Sequence, residues 1–279
     1  MLGKAICLQT APADVELHAA DIVGAQIDLD ITCPTAVREV IHSIAPDVII
    51  HCAAYTQVDR AEEEPDVAYR VNALGSELVA LTADRVAAAM CYISTDFVFD
   101  GAKRAAYHEY DEPNPLSAYA RTKLAGELAV ARHCRRHWIV RTAWLYGEHG
   151  RNFPATILRA AREGRQLRVV ADQTGSPTYA RDLARAIWRL IAHAGYGTYH
   201  IVNLGSASWY ELARRTLDAA GLYDVPVQPI PSSDWPSPAR RPAYSPLSSL
   251  RGPAEGLPPL RPWQDAVSEF VSHVRKEQP

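Results

Sequence analysis

A tyrosine and a lysine four residues apart form the pair with the clearest capacity for chemistry in this sequence. They lie in the segment Tyr119-Ala-Arg-Thr-Lys123. On a helix, side chains four residues apart share one face, so the phenol and the ammonium group can point into the same cleft. A nearby cation favours the phenolate, and we therefore expect Lys123 to lower the pKa of Tyr119 and make it a proton donor to a carbonyl oxygen. Lys123 could also bind a ribose hydroxyl of a cofactor. The alternative is an ordinary solvated helix face.

Polar and aromatic side chains follow two apolar segments that have the character of buried strands. Thr95 and Asp96 come after one of them, and Trp144 comes after the next. In open α/β sheets, ligands bind beyond the carboxyl ends of the strands. Thr95 could therefore hold a substrate oxygen beside the phenol, Asp96 could orient the substrate, and Trp144 could stack on a ring. The alternatives are a polar turn or helix cap for the first pair and packing between two lobes for Trp144.

Strand and helix patterns alternate around these residues. The predicted elements, in chain order, are a strand over 15–19 that ends at Asp21, a helix over 34–44, a strand over 47–52, a helix over 67–89, a strand over 90–94, a helix that begins near Leu116 and a strand over 138–141. Short continuous apolar runs are typical of parallel strands that are covered on both faces. The alternation predicts an α/β fold with a doubly wound, Rossmann-like parallel sheet.

The composition of the sequence changes after about residue 145. Prolines become frequent there, and 226–262 is rich in loop signals. We expect an NAD(P)-binding Rossmann-like domain over 1–145 and a smaller C-terminal substrate-binding lobe over 146–279, with segments that could return to the main sheet.

Composition and charge narrow the function classes. The 279 residues carry a net charge of −3 with mixed signs, which argues against a nucleic-acid partner. No apolar run approaches the roughly 20 residues that span a bilayer, and no secretory leader pattern opens the chain, so we predict a cytoplasmic protein without a membrane partner. The five cysteines form no C-x-x-C pair. His133 and His137 are better explained as cationic residues at the C-terminal end of a helix than as metal ligands, and we predict no metal site.

Several segments together resemble one family. The segments that carry the resemblance are Pro46–Ile50, Ala53–Glu62, Ser94–Phe99, Pro115–Tyr119, Lys123–Glu127, Arg141–Trp144, Asp172–Thr178 and Ala239–Pro242. They cover nearly the whole chain in the expected order, and with them the chain is similar to the dTDP-4-dehydrorhamnose reductases, a branch of the extended short-chain dehydrogenase/reductase superfamily. The tyrosine–lysine spacing alone is weakly specific for this family, whereas the matching segments together are strongly specific.

The resemblance implies a role for each matching position. Tyr119 would be the proton donor and Lys123 its activator. Thr95 would tune the phenol and bind the sugar oxygen, with Asp96 beside it and Trp144 against the sugar. The cofactor-binding positions would be Gly3, Asp21, Asp30, Ile31, Ala54, Tyr55, Thr56 and Ile93, together with Tyr119 and Lys123.

The implied reaction is hydride transfer from NADPH or NADH to C4 of dTDP-4-dehydro-6-deoxy-L-mannose, which gives dTDP-L-rhamnose. The acidic Asp21 after the second strand favours NADH, whereas the resemblance favours NADPH. The expected partner is a small nucleotide-sugar substrate. Some relatives form dimers through a metal held by acidic residues. A homodimer and Mg²⁺ are therefore compatible with the resemblance, although no residue of this chain can be assigned to the ion.

The beginning of the sequence departs from the family pattern. Met1–Ala5 matches only the last glycine of a Gly-rich turn and the helix after it. Two explanations stay open: a shortened product of a longer reading frame, and a shortened relative that binds nicotinamide poorly and acts as a regulatory or scaffolding subunit. A ketoreductase for another deoxysugar is a further alternative. Epimerase or dehydratase chemistry is disfavoured, because Asp96 lacks an adjoining glutamate.

Overall fold

Short strands and longer helices alternate along the chain. The structure is a computed structural model that describes residues 1–9 and 14–276. Its strands are β1 (Ala20–Asp21), β2 (Ile27–Asp28), β3 (Val48–His51), β4 (Ala89–Thr95), β5 (His137–Thr142), β6 (Leu145–Tyr146), β7 (Leu167–Val170), β8 (Thr174–Gly175), β9 (Thr178–Tyr179), β10 (Gly197–His200), β11 (Ala207–Ser208) and β12 (Val227–Ile230). Its helices are α1 (Leu2–Cys7), α2 (Pro34–Ile44), α3 (Arg60–Glu63), α4 (Pro65–Tyr69), α5 (Ser76–Arg85), α6 (Ala118–His133), α7 (Phe153–Arg162), α8 (Ala180–His193), α9 (Trp209–Ala219), α10 (Arg251–Ala254) and α11 (Trp263–Lys276).

The main sheet is parallel and has the strand order β10-β5-β4-β3. Residues of α1 and α8 form a core with one face of the sheet, and residues of α2, α5 and α6 form a core with the other. Helices on both faces explain why β4 and β5 are nearly continuous apolar runs. The predicted doubly wound α/β fold is confirmed. Strands β1 and β2 pair separately, and within the described residues no strand pairs with the second edge of β3.

The structure corrects two of the predicted elements of secondary structure. The predicted strand over 15–19 is wrong: only Ala20 and Asp21 pair, and most of the residues before them are exposed, so they have no core to pack against. The predicted single helix over 67–89 is interrupted by a π-helical stretch at Arg70–Gly75. Such widened turns are common at functional sites. This one contains Asn72, whose side-chain oxygen accepts from the Tyr55 amide and whose side-chain nitrogen donates to the Thr122 hydroxyl.

The C-terminal half builds a second lobe and also returns to the main sheet. Helices α7, α9 and α11 enclose an apolar core against the parallel pair β7–β12 and the short ribbons β8–β11 and β6–β9. Strand β10 pairs with β5 and completes the main sheet. Arg241 of the second lobe donates to Asp59 of the first at 2.8 Å, and this ion pair with its hydrogen bonds lowers the pKa of Asp59 to about 2.

Close packing of α6 against the sheet and the π-helical stretch requires a glycine at position 126. A Cβ at Gly126 would overlap the carbonyl oxygen of Asn72 and the phenol oxygen of Tyr92. Tyr92 is fully buried on β4, so neither neighbour has room to move away. The contact therefore determines how closely α6 approaches the strands.

We predict that Gly126→Ala destabilises the protein by about 1–3 kcal/mol, because overpacking outweighs the usual helical preference for alanine. The free energy of unfolding in urea measures the effect. Gly3→Ala is the matched control, since its Cβ would lie 3.7 Å from the Cβ of Cys52, an ordinary contact. A Gly126→Ala protein as stable as the wild type would contradict this account of the α6 packing.

Candidate active site

Helix α6 carries the tyrosine–lysine pair to the carboxyl end of β4. The helix begins at Ala118 because Ser117 caps it, with the Ser117 hydroxyl accepting from the amide of Ala120 at 3.2 Å. Tyr119 and Lys123 are both buried, with 9% and 2% of their surfaces exposed. The Lys123 Nζ donates to the carbonyl oxygen of Ile93 at 2.6 Å, so the lysine is joined directly to β4.

The electrostatics of this pair differ from the sequence-based expectation. Burial raises the pKa of Tyr119 to about 12, and a hydrogen bond with Thr95 opposes that rise. Burial lowers the pKa of Lys123 to about 7, and Glu127 opposes that fall. The expected lowering of the Tyr119 pKa by Lys123 is therefore wrong. Desolvation is the largest contribution to the pKa shifts of both groups. The ammonium group of Lys123 donates to the Ile93 carbonyl and lies 4.0 Å from the centre of the Tyr92 ring.

Thr95 and Asp96 lie where β4 ends in a short 3₁₀ turn, Asp96–Val98. The Thr95 hydroxyl caps this turn by accepting from the amide of Phe97 at 3.2 Å. Asp96 is 2% exposed, and its Oδ2 accepts from the Ser245 hydroxyl of the second lobe at 2.6 Å. Burial raises the pKa of Asp96 to about 7, although hydrogen bonds from Ser245 and Thr95 act against it. The alternative expectation, a helix cap, is therefore met by Thr95. Its binding of a substrate oxygen beside Tyr119 stays a prediction.

Sequence reasoning assigned no role to a buried ion pair below this site. Arg141 of β5 binds Glu127 of α6 through two nitrogens, at 3.0 and 2.7 Å, and the Ser94 hydroxyl donates to Glu127 at 2.5 Å. Both charged side chains are almost fully buried. Two signals could have revealed the pair: a charged residue inside an apolar strand, and a glutamate one helical turn beyond Lys123.

The loop after β3 lies beside the tyrosine. Tyr55 packs in one apolar cluster with Tyr119 and Phe97. Its backbone is held by Asn72, which accepts from the Tyr55 amide at 2.8 Å and donates to the Tyr55 carbonyl at 3.1 Å. The π-helical stretch therefore anchors the segment with the predicted cofactor positions Ala54, Tyr55 and Thr56. Ala54 is half-buried, and Thr56 is exposed.

The other predicted cofactor positions lie apart from this cluster. Ile31 is buried against Gly75, and the Asp30 carboxylate accepts from the amide and hydroxyl of Thr32. Asp21 is exposed on β1, and Gly3 lies on α1 near Cys52. At 3.7 Å from Cys52, a Cβ on Gly3 would be accommodated, so helix packing alone does not require this glycine. Among the described residues, no hydrogen bond or ion pair joins these four positions to Tyr119 or Lys123.

Trp144 lies at the junction of the two lobes. Its backbone has a φ of 44°, a left-handed conformation that is costly for a tryptophan. The indole stacks on Trp209 with ring centroids 3.5 Å apart, and it lies against Gly175, where a Cβ would overlap it. The ring is half-buried, so this packing uses one face and leaves part of its surface accessible.

A cavity of about 670 Å³ lies beyond β10, between α8 and the segment 244–261. Its lining includes His200, Asn203, Tyr244, Pro246, Leu260 and Arg261, but not Tyr119, Lys123 or Thr95. In the two described ranges, no three or more His, Cys, Asp or Glu side chains are grouped to hold a metal ion, so Mg²⁺ has no placement there. No helix in those ranges is both long and apolar enough to cross a membrane.

A parallel sheet with a threonine at the end of β4 and Tyr-x-x-x-Lys on the next long helix defines a protein of the short-chain dehydrogenase/reductase class. The family described as RmlD substrate binding domain matches residues 1–276. The chain belongs to this family.

Individual proteins of known sequence or structure agree with this assignment. The chain is 44% identical over 248 residues to the dTDP-4-dehydrorhamnose reductase of Mycolicibacterium smegmatis. The aligned region covers 88% of this chain and 75% of the relative. It is 39% identical to a solved dTDP-4-dehydrorhamnose reductase from Clostridium acetobutylicum, with a TM-score of 0.93 over 98% of this chain and 96% of that one. A Bacillus anthracis reductase, solved in complex with NADP, is also 39% identical, with a TM-score of 0.90 over 98% and 95% of the two chains.

The pKa of Asp96 leads to a testable dependence of stability on pH. Because burial raises the folded-state pKa from 3.8 to about 7, Asp96 stabilises the fold fully below pH 3.8, and this contribution is lost as the pH rises through about 7. We predict that Asp96→Asn gains stability relative to the wild type over that window, by at most about 1.4 kcal/mol per pH unit.

Urea unfolding of both proteins at several pH values between 4 and 8 measures this difference. Lys123 titrates in both proteins, so its contribution cancels in the comparison. A difference that stays constant with pH would show that the Asp96 carboxyl is ionised throughout the range.

Proposed function

We propose that this chain reduces the 4-keto group of dTDP-4-dehydro-L-rhamnose to give dTDP-L-rhamnose, with NADPH or NADH as the reductant. The observation that carries the proposal is the buried set of Thr95, Tyr119 and Lys123 at the end of β4. The relatives named dTDP-4-dehydrorhamnose reductase supply the substrate class, and the NADP-bound relative supports a nicotinamide cofactor.

The donor set of the site fits a dinucleotide. Lys123 is buried with one hydrogen-bond acceptor, the Ile93 carbonyl, among the described residues, so its remaining N–H groups are available to ribose hydroxyls. Asp21 and Asp30 carry accessible carboxylates that can accept from hydroxyl or amino groups. Ala54, Tyr55 and Thr56 would line the pyrophosphate and nicotinamide side, and Gly3 and Ile31 would complete the adenosine side. A reduced nicotinamide bound there would supply the hydride for C4.

Tyr119 supplies the proton in this proposal. Its pKa of about 12 keeps the phenol protonated at neutral pH, so the O–H group is ready to donate to the C4 oxygen as negative charge develops there. The Tyr119 O–H bond breaks, and an O–H bond forms on the sugar. Thr95 stabilises the resulting phenolate through its hydrogen bond and orients the same sugar oxygen. Lys123 would act by binding the ribose hydroxyls of the cofactor.

The second lobe, 146–279, would bind the nucleotide sugar. Two of its contacts reach the Rossmann-like half beside the site: Ser245 with Asp96, and Arg241 with Asp59. Asp96 and the accessible part of Trp144 would contact the sugar between the lobes. We place the reaction in the cytoplasm, a reducing compartment in which the five unpaired cysteines remain thiols. A homodimer fits the family resemblance.

We predict that Tyr119→Phe lowers kcat by about 10²–10⁴-fold, since the phenylalanine keeps the ring but has no proton to donate. The assay follows NADPH absorbance with dTDP-4-dehydro-L-rhamnose and with epimeric 4-keto-6-deoxy nucleotide sugars. Substrate affinity is expected to stay within a few-fold of the wild type. Tyr110→Phe is the control, because Tyr110 is 71% exposed and should have no effect. Full activity of Tyr119→Phe would exclude this residue as the acid.

Titration with NADPH and NADH separates a reductase from a non-catalytic subunit built on the same fold. We expect saturable binding of at least one of them, measured by the fluorescence of the reduced nicotinamide. Lys123→Met should weaken binding about tenfold, because it removes a charge-assisted hydrogen bond to the ribose. A folded protein that binds neither cofactor at millimolar concentration would instead favour the regulatory or scaffolding role.

A further inference from the structure

Trp144 has a backbone conformation that a tryptophan does not favour by itself. Its φ of 44° lies in the left-handed region, where the Cβ of an L-residue crowds the backbone. Strained backbone of this kind persists where the surrounding structure fixes it, and it is frequent at functional sites. Trp144 lies two residues after Thr142, which pairs with Thr95 in the ladder of β4 and β5. The indole therefore lies beyond the same edge of the sheet as the candidate active site.

The Trp144 indole is covered on one face by Trp209 of the second lobe. The two rings are almost parallel, with an interplanar angle of 5° and centroids 3.5 Å apart. Trp209 is itself confined, because Phe153 of α7 packs against it with centroids 4.8 Å apart and an interplanar angle of 58°. Aromatic contacts stabilise a structure beyond the burial of their surface. The stack therefore restricts the indole to one orientation.

The ribbon of β8 and β11 brings both of these contacts of the indole together. Gly175 lies on β8, and Trp209 follows β11 directly. The backbone at Trp209 is fixed by a capping box, in which the side chains of Ser208 and Glu211 each accept from the other's backbone amide. A Cβ on Gly175 would overlap Cε2 and Nε1 of the Trp144 indole. Gly175 therefore leaves room for the ring on which Trp209 stacks.

The indole N–H of Trp144 has no hydrogen-bond acceptor among the described residues. Its nitrogen is also not one of the side-chain nitrogens that are buried without a partner, in contrast to those of Trp188 and Trp263. The nitrogen therefore keeps access to solvent. Gly175 contributes to this opening because it carries no side chain. A fixed aromatic ring with a free donor at its edge is suited to the ring and the oxygen atoms of a sugar.

We propose that Trp209 is a positioning residue for nucleotide-sugar binding, which holds the Trp144 indole in place before the substrate arrives. This inference rests on the proposed reductase function, which places a deoxysugar beside Trp144. The physical gain is preorganisation, because a side chain that is already fixed loses little conformational entropy when the ligand binds. Trp209 acts through Trp144 and does not itself need to touch the sugar. The second lobe thereby contributes to recognition through one aromatic contact.

Two ligands that differ by the sugar test this role. Calorimetric titrations of the wild type and Trp209→Met compare dTDP-L-rhamnose, the product of the proposed reaction, with dTDP, which lacks the sugar. Methionine keeps an apolar, adaptable side chain at the start of α9 but removes the stack. We expect the affinity for dTDP-L-rhamnose to fall about fivefold, with the affinities for dTDP and NADPH unchanged. An equal loss for all three ligands would show a general structural defect and would overturn the role of Trp209.

A double-mutant cycle shows whether Trp209 acts through Trp144. In the background of Trp144→Ala, Trp209→Met should have no further effect on the affinity for dTDP-L-rhamnose, since the side chain that it positions is gone. Losses that add in the cycle would contradict the proposal. Trp209→Phe should recover most of the affinity, because a smaller aromatic ring still stacks. Trp235→Met is the matched control: Trp235 also lies in the second lobe, but it is 58% exposed, and its replacement should change no affinity.

Gly175→Ala perturbs the same contact from another side and leaves the core around Trp209 intact. The added Cβ must displace the Trp144 indole, because the two would overlap. We expect the same selective loss of affinity for dTDP-L-rhamnose as in Trp209→Met. This variant also decides the matter if Trp209→Met does not fold. Wild-type affinity for dTDP-L-rhamnose in Gly175→Ala would show that the placement of the indole is unimportant for the sugar.

The stack can be observed without substrate or turnover. In protein labelled with fluorotryptophan, the fluorine resonance of Trp144 is assigned by its absence from Trp144→Phe. It should move in Trp209→Met, because the ring current of the neighbouring indole is lost. An unmoved resonance would overturn the inference even if the protein is an active reductase. A moved resonance in a protein that binds neither dTDP nor dTDP-L-rhamnose would instead overturn the proposed substrate, and with it the role of Trp209, while the stack itself stands.

Discussion

The buried ion pair between Glu127 and Arg141 is the constraint on which the site depends. It joins α6 to β5, and Ser94 extends it to β4, so the helix is held to two strands at once. Leaving either charge unpaired in this position would cost about 3–5 kcal/mol, which makes sliding of the helix unfavourable. Because Lys123 lies one turn before Glu127, and Tyr119 one turn earlier, the ion pair also sets where these two side chains meet the end of β4.

The same burial that holds the helix in place determines the proton chemistry. Desolvation raises the pKa of Tyr119 to about 12 and that of Asp96 to about 7, and it lowers the pKa of Lys123 to about 7. The result is a strongly held proton on the phenol beside two groups that titrate near neutrality. The Thr95 hydroxyl donates to the Asp96 carboxyl at 3.2 Å, and Thr95 also opposes the rise in the Tyr119 pKa. A solvated site with the same residues would lack this ordering of acids.

The two lobes meet at the site through polar contacts. Arg241 binds Asp59, which follows the loop containing Tyr55, and Ser245 binds Asp96. Residues that hold the second lobe therefore also hold, or neighbour, residues that would contact cofactor and sugar. Strand β10 strengthens the connection, because it carries the later part of the chain back into the main sheet beside β5. A substrate bound between the lobes would therefore lie beside the hydrogen bonds that join Ser245 to Asp96 and Arg241 to Asp59.

The sequence by itself determined the parallel α/β fold, the helix that carries Tyr119 and Lys123 and the polar residues at the end of β4, since periodicity and spacing are local properties. The set of family segments also pointed to the reductase family. Only the tertiary structure decided the direction of the Tyr119 pKa, the Glu127–Arg141 pair and the contact between Asp96 and Ser245. Those features depend on burial and on partners far away in the chain, and burial by distant segments leaves no local pattern. The pKa expectation failed for this reason: spacing places a lysine near a tyrosine, but desolvation decides the proton affinity of both.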